Sequence, residues 1–181
     1  MKKRNIFKLA ASVLICQAAA AIGAFFTAPA IEGWYARLNK PLWTPAGEII
    51  GAVWTALYLL MGISLYLVWA RNWQIEQSFA GRGARAWNQI SQKLLDGAWQ
   101  KQNIIAIFSM QLILNVLWSF VFFELKSPGL AFFVLLALWA AIVYTIANFW
   151  RVSKLAAYLL LPYIAWVTFA GYLNFVIWGM N

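Results

Sequence analysis

The sequence contains no histidine, a single cysteine (Cys16) and only five acidic residues among its 181. Without histidine there is no Ser-His-Asp or Cys-His constellation, no usual general base, and none of the commonest haem-iron ligand. One cysteine allows neither an intramolecular disulfide nor a zinc cluster. The five carboxylates, Glu32, Glu48, Glu76, Asp96 and Glu124, fall between apolar runs or at their ends. None stands mid-membrane, where proton-coupled transport typically needs one. Gly81 and Gly83 alone do not make a phosphate-binding loop. Hydrolase and metalloenzyme chemistry are set aside on these grounds.

What the chain has in excess is apolar surface: 64% of residues are hydrophobic, 10% are charged, and 12 are tryptophan. Soluble domains stop near about half apolar, so the excess faces lipid. Five runs reach the roughly 20 residues that cross a bilayer as a helix, at about 6–26, 49–70, 104–123, 130–150 and 155–178. They are long and do not alternate as barrel strands do. The expectation is an all-α integral membrane protein, a five-transmembrane-helix bundle forming a single domain over 1–181.

The net charge of +9 fits this topology. With five spans, one side receives Lys2, Lys3, Arg4, Lys8, Arg71, Arg82, Arg85, Lys93, Lys101, Arg151 and Lys154, and the other only Arg37, Lys40 and Lys126. Eleven against three places the N-terminus in the cytoplasm and the C-terminus outside. No basic surface remains for nucleic acid once the spans are removed. The first run has a rival reading as a signal peptide, with Lys2, Lys3, Arg4 and Lys8 before it and Ala28-Pro29-Ala30 after it. It is longer than a typical signal core, which favours a retained helix.

Two connections are long. The first, about Thr27 to Glu48, holds Pro29, Pro41 and Pro45 with Trp34, Tyr35 and Trp43, which suits a stiff interfacial cap over the helix ends. The second, an insert loop at about 71–101, carries Trp87, Ile90, Leu94 and Ala98 at helical spacing. It reads either as an amphipathic helix on the membrane surface or as a disordered loop.

Polar side chains inside spans mark packing faces or sites. Gln111, Asn115 and Ser119 form one stripe on the third span, which reads first as hydrogen-bond glue between helices. The second span carries Trp54, Tyr58, Met61 and Gly62. The fifth carries Trp166, Phe169, Ala170, Leu173 and Asn174 after Pro162, where the free Tyr158 carbonyl predicts a bend. Taken alone, such aromatic stripes read as packing.

Together these residues resemble one family. Gly33-Trp34-Tyr35-Ala36-Arg37-Leu38-Asn39-Lys40-Pro41-Leu42-Trp43-Thr44-Pro45 looks like the first-loop signature of the TspO/MBR (translocator protein, tryptophan-rich sensory protein) family, bacterial type. Trp54, Leu57-Tyr58 and Met61-Gly62 resemble its second helix. Gln111, Leu114-Asn115, Trp118 and Phe122-Phe123 resemble its third, and Leu161-Pro162-Tyr163, Trp166, Phe169-Ala170 and Leu173-Asn174 its fifth. The resemblance spans nearly the whole chain in order.

It implies a five-helix bundle, a homodimer in the bacterial inner membrane, and a cavity beneath the first loop that binds protoporphyrin IX or another lipophilic small molecule. No cofactor is required. The implied role is a tetrapyrrole receptor or sensor in porphyrin regulation or stress response. Light-dependent porphyrin degradation, with Trp54 and Trp166 as redox partners, and transport of porphyrins or small lipophiles are the alternatives. Implied ligand contacts are Trp34, Trp43, Trp54, Tyr58, Asn115, Trp118, Trp166, Phe169, Ala170 and Asn174, with Arg37 and Lys40 meeting the propionates. With no histidine, metal-free porphyrin is expected over haem. Three features depart from the family: Ala46 replaces a second proline after Pro45, Phe175 replaces the tyrosine of a weak cholesterol pattern, and the 71–101 insert is long. The tryptophans therefore divide into interfacial anchors, Trp69, Trp73, Trp150 and Trp178, and pocket walls.

Overall fold

A computed structural model describes residues 3–70 and 84–181, and the side chains of 5–70 and 102–181. Six helices account for them: α1 (Lys3–Ala30), α2 (Gly47–Trp69), α3 (Ala84–Ser119), α4 (Pro128–Val152), α5 (Lys154–Leu159) and α6 (Leu161–Met180), with π-helical turns at Ile31–Tyr35 and Phe120–Glu124. Five apolar segments of 23 to 31 residues are long enough to span a bilayer. The protein is an integral membrane five-helix bundle, with α5 and α6 together making the fifth span.

The packing order closes a ring. α2 packs on α1, α1 on α3, α3 on α4, α4 on α5 and α6, and α5 returns to α2. Small residues and hydrogen bonds set these contacts, because lipid removes the hydrophobic reason for helices to associate. A Cβ built on Gly62 would lie 2.7 Å from the Val13 Cα, so only glycine lets α1 and α2 approach this closely. Ser64 Oγ donates to the Ala156 carbonyl at 2.7 Å, joining α2 to α5. Trp139 Nε1 donates to Thr168 Oγ1 at 2.9 Å, joining α4 to α6.

Three boundaries differ from the sequence expectation. The first helix does not stop near Phe26; it continues through Pro29 to Ala30 and a π-helical turn ending at Tyr35. A helix can carry proline where the ladder is locally loosened, and the widened turn follows two residues after Pro29. Trp34 and Tyr35 therefore stand on a helix end, and the true connection is 38–46. Near Pro162 the expected bend takes the form of an interruption of the fifth span. The span breaks at Leu160, whose N–H bonds to the Ala157 carbonyl at 3.0 Å, and Pro162 sits in the first turn of α6, where its missing N–H costs nothing. Residues 84–101 of the insert loop are neither disordered nor a separate helix; they run unbroken into the third span. The insert's residues 71–83, with Trp73, lie outside the described residues, as do the side chains of Trp87, Ile90, Leu94 and Ala98.

Candidate ligand cavity

The connection 38–46 is rigid through its own hydrogen bonds. Lys40 Nζ donates to the carbonyls of Tyr35 (2.6 Å), Leu38 (3.2 Å) and Ala36 (3.3 Å), and lies 4.6 Å from the Tyr35 ring centroid. A cation over the C-terminal carbonyls of a helix satisfies groups that the helix leaves open. Thr44 Oγ1 closes a turn on the Pro41 carbonyl at 2.7 Å. The C-terminal end of the chain then holds this connection down. Asn39 N–H donates to Asn181 Oδ1 (2.9 Å), Asn181 Nδ2 to the Asn39 carbonyl (3.0 Å), and Asn39 Nδ2 to the Met180 carbonyl (3.2 Å). Trp43 stacks on Tyr172 at 5.4 Å and 11°, with its edge on Phe169.

Beneath this lid lie two adjoining cavities. The larger, about 510 Å³, opens between α1, α2 and α3. Its volume falls within the roughly 300–1,000 Å³ typical of ligand pockets. Its walls include Trp54, Tyr58, Asn115 and Trp118, and on the α1 side the small residues Ala20, Gly23, Ala24 and Thr27 leave the space open. The smaller, about 60 Å³, lies between α2, α3 and α6 and is lined by Trp166, Phe169, Ala170 and Asn174 along with Trp54 and Trp118.

Hydrogen bonds fix the polar groups. Asn115 is buried and crosslinks three helices: Tyr58 Oη donates to its Oδ1 at 3.0 Å, and its Nδ2 donates to Tyr163 Oη at 2.7 Å. The glue reading of the third-span stripe therefore holds for Asn115, which also lines the large cavity. Ser119 lines the large cavity opposite Gly23. Gln111 is fully buried, and neither amide atom has a partner among the described residues. Trp166 Nε1 is likewise buried without an acceptor there.

Of the residues singled out in the sequence, Trp54, Tyr58, Asn115, Trp118, Trp166, Phe169, Ala170 and Asn174 come together around the two cavities. Trp34, Trp43, Arg37 and Lys40 line neither. Trp34 packs edge-on against Phe122 at 5.6 Å, Trp43 clamps the lid, and Lys40 is committed to carbonyls. Arg37 is exposed. Sequence reasoning passed over Tyr35, Ile50 and Phe123, which line both cavities, and the whole α1 wall. Ala20, Ala24 and Thr27 recur at helical spacing along one face, a signal that marks that wall.

The five-helix bundle is the fold that the family resemblance implied. The TspO/MBR family profile matches residues 12–179. The chain belongs to the TspO/MBR family. It is 38% identical over 177 residues to the tryptophan-rich protein TspO of Archaeoglobus fulgidus, covering 98% of this chain and 99% of that protein. It is 34% identical over 178 residues to the tryptophan-rich protein TspO of Chlorobaculum tepidum, with 98% of each covered. The human translocator protein is 33% identical over 168 residues, covering 90% of this chain and 86% of that protein. TspO/MBR membership thus extends across prokaryotic and animal relatives along almost the full length of this chain.

Proposed function

We propose that this TspO/MBR protein is a membrane receptor for a flat, lipophilic tetrapyrrole, with metal-free protoporphyrin IX as the candidate ligand. The observation that carries this reading is the cavity of about 510 Å³ walled by Trp54, Tyr58 and Trp118. Indole and phenol faces suit a large π-system, and aromatic pairs contribute about 0.5–1.5 kcal/mol each beyond the area they bury. Arg37, exposed beside the lid, is the cation available to a propionate; Lys40 is already used. The excess of basic residues on the side of the N-terminus supports a cytoplasmic N-terminus, with the 38–46 connection on the opposite side of the membrane.

Titration of the purified protein with protoporphyrin IX, read by tryptophan fluorescence quenching, tests the reading. Losing two aromatic contacts in Trp54→Leu/Tyr58→Leu should weaken binding by about 1–3 kcal/mol, roughly 5–150-fold. Unchanged affinity in the double variant would remove these two walls from the site.

A further inference from the structure

The two cavities share Tyr35, Ile50, Trp54, Trp118 and Phe123, and this common wall is held unequally. Trp54 touches Tyr58 and Tyr163 through ring contacts at 5.9 and 6.3 Å, with no hydrogen-bond partner among the described residues. Trp118 is tethered. Its Nε1–H donates to Asn174 Oδ1 at 3.0 Å. Asn174 is only 2% exposed and is itself fixed, because its Nδ2 donates to the Pro128 carbonyl at 2.7 Å. Asn174 lines the small cavity alone, whereas Asn115 lines the large one alone. The Trp118 indole therefore spans the boundary, with its N–H edge toward α6 and its ring flanked by Phe122 and Phe123 at 5.4 and 6.0 Å.

A tethered indole between a cavity of about 510 Å³ and one of about 60 Å³ stands where a long flat molecule seated in the larger would have to extend. We infer that Asn174 is a specificity-determining residue: by holding Trp118 across the boundary it caps ligand size, and its release merges the two spaces. The inference rests on the reading of the large cavity as the ligand site. It assigns Asn174 a role through Trp118, distinct from touching the ligand itself. A direct contact would weaken every ligand on substitution, whereas a size limit shifts only the preference between small and large ones. The amide supplies the one acceptor that the indole N–H uses, so Asn174→Leu, with the same number and branching of side-chain heavy atoms, removes the tether while the aromatic cluster around Trp118 remains.

The test compares pyrene with the larger coronene on the full chain in lipid nanodiscs, read by energy transfer from tryptophan. Asn174→Leu and Trp118→Phe should each raise the coronene-to-pyrene affinity ratio about fivefold to tenfold, the weight of one neutral hydrogen bond, and the double variant should go no further. If Asn174→Leu does not yield folded protein, Trp118→Phe, which keeps the Asn174–Pro128 bond, decides the matter. An unchanged ratio, or equal loss for both probes, overturns the inference, as does failure of both probes to bind the unaltered protein. Protoporphyrin IX is titrated in parallel. Its failure to bind while the hydrocarbon ratio still shifts strikes only the tetrapyrrole reading, and its binding with an unmoved ratio strikes only the role of Asn174.

Discussion

Single side chains in this bundle are judged by whether their polar atoms find partners, because lipid offers none. Asn115 uses both ends of its amide, one on the Tyr58 hydroxyl and one on the Tyr163 hydroxyl. Asn115→Leu strands two buried hydroxyls and should cost about 1–3 kcal/mol, visible as a lower melting temperature in detergent together with loosened Tyr58 packing. Gln111, one turn away on α3, is the opposite case: it is buried with both amide atoms unpartnered among the described residues. Gln111→Met keeps the volume and removes the desolvated amide, so stability should hold or rise by about 1 kcal/mol. A clear drop in melting temperature for this variant would mean that the amide is satisfied by a group or water that these contacts do not reveal. The two residues sit in the same polar stripe of the sequence, and nothing in their spacing separates them. Only the placement of Tyr58 and Tyr163 opposite one of them does.

At the scale of elements, the five spans were legible because apolar runs of this length have no other solution in a chain with so few charges. Their ends were less so. Pro29 reads as a stop, yet α1 absorbs it next to a π-helical turn and carries Trp34 and Tyr35 with it. Polar residues 84–101 read as a helix or a disordered connection, yet they extend α3, since helical spacing persists through the change from polar to apolar composition. The lid shows why long-range contacts stay hidden. Asn39 and Asn181 are 142 residues apart and exposed, and only the folded chain brings them into reciprocal hydrogen bonds. This clasp is expected to set how long a ligand stays. Asn181→Ala should speed dissociation of bound protoporphyrin severalfold, in stopped-flow fluorescence, while leaving the melting temperature nearly unchanged. Exposed neutral hydrogen bonds contribute about 0.5–1.5 kcal/mol each, enough to alter a rate and too little to unfold the bundle.

Across the whole molecule, the family was readable from the first loop and the aromatic positions of the second, third and fifth spans, and its profile runs through residues 12–179. The cavity was half readable. Large residues such as Trp54 and Trp118 announce themselves, whereas the wall opposite is made of small residues that matter by leaving space. Trp34, Trp43 and Lys40 carry the resemblance as strongly as Trp54 does, but their work is to pack and cap the lid. The proposed function requires a tetrapyrrole to sit in the space between α1, α2 and α3. Gly51 lines that space, and a Cβ added there meets nothing within 4 Å, so Gly51→Phe adds bulk at the cavity wall with no clash at Cβ. The most direct measurement is a protoporphyrin IX titration of the unaltered protein and Gly51→Phe at matched melting temperature. Saturable binding to the former, lost or weakened at least tenfold in the latter, is the predicted result. Equal binding by both proteins would contradict the account.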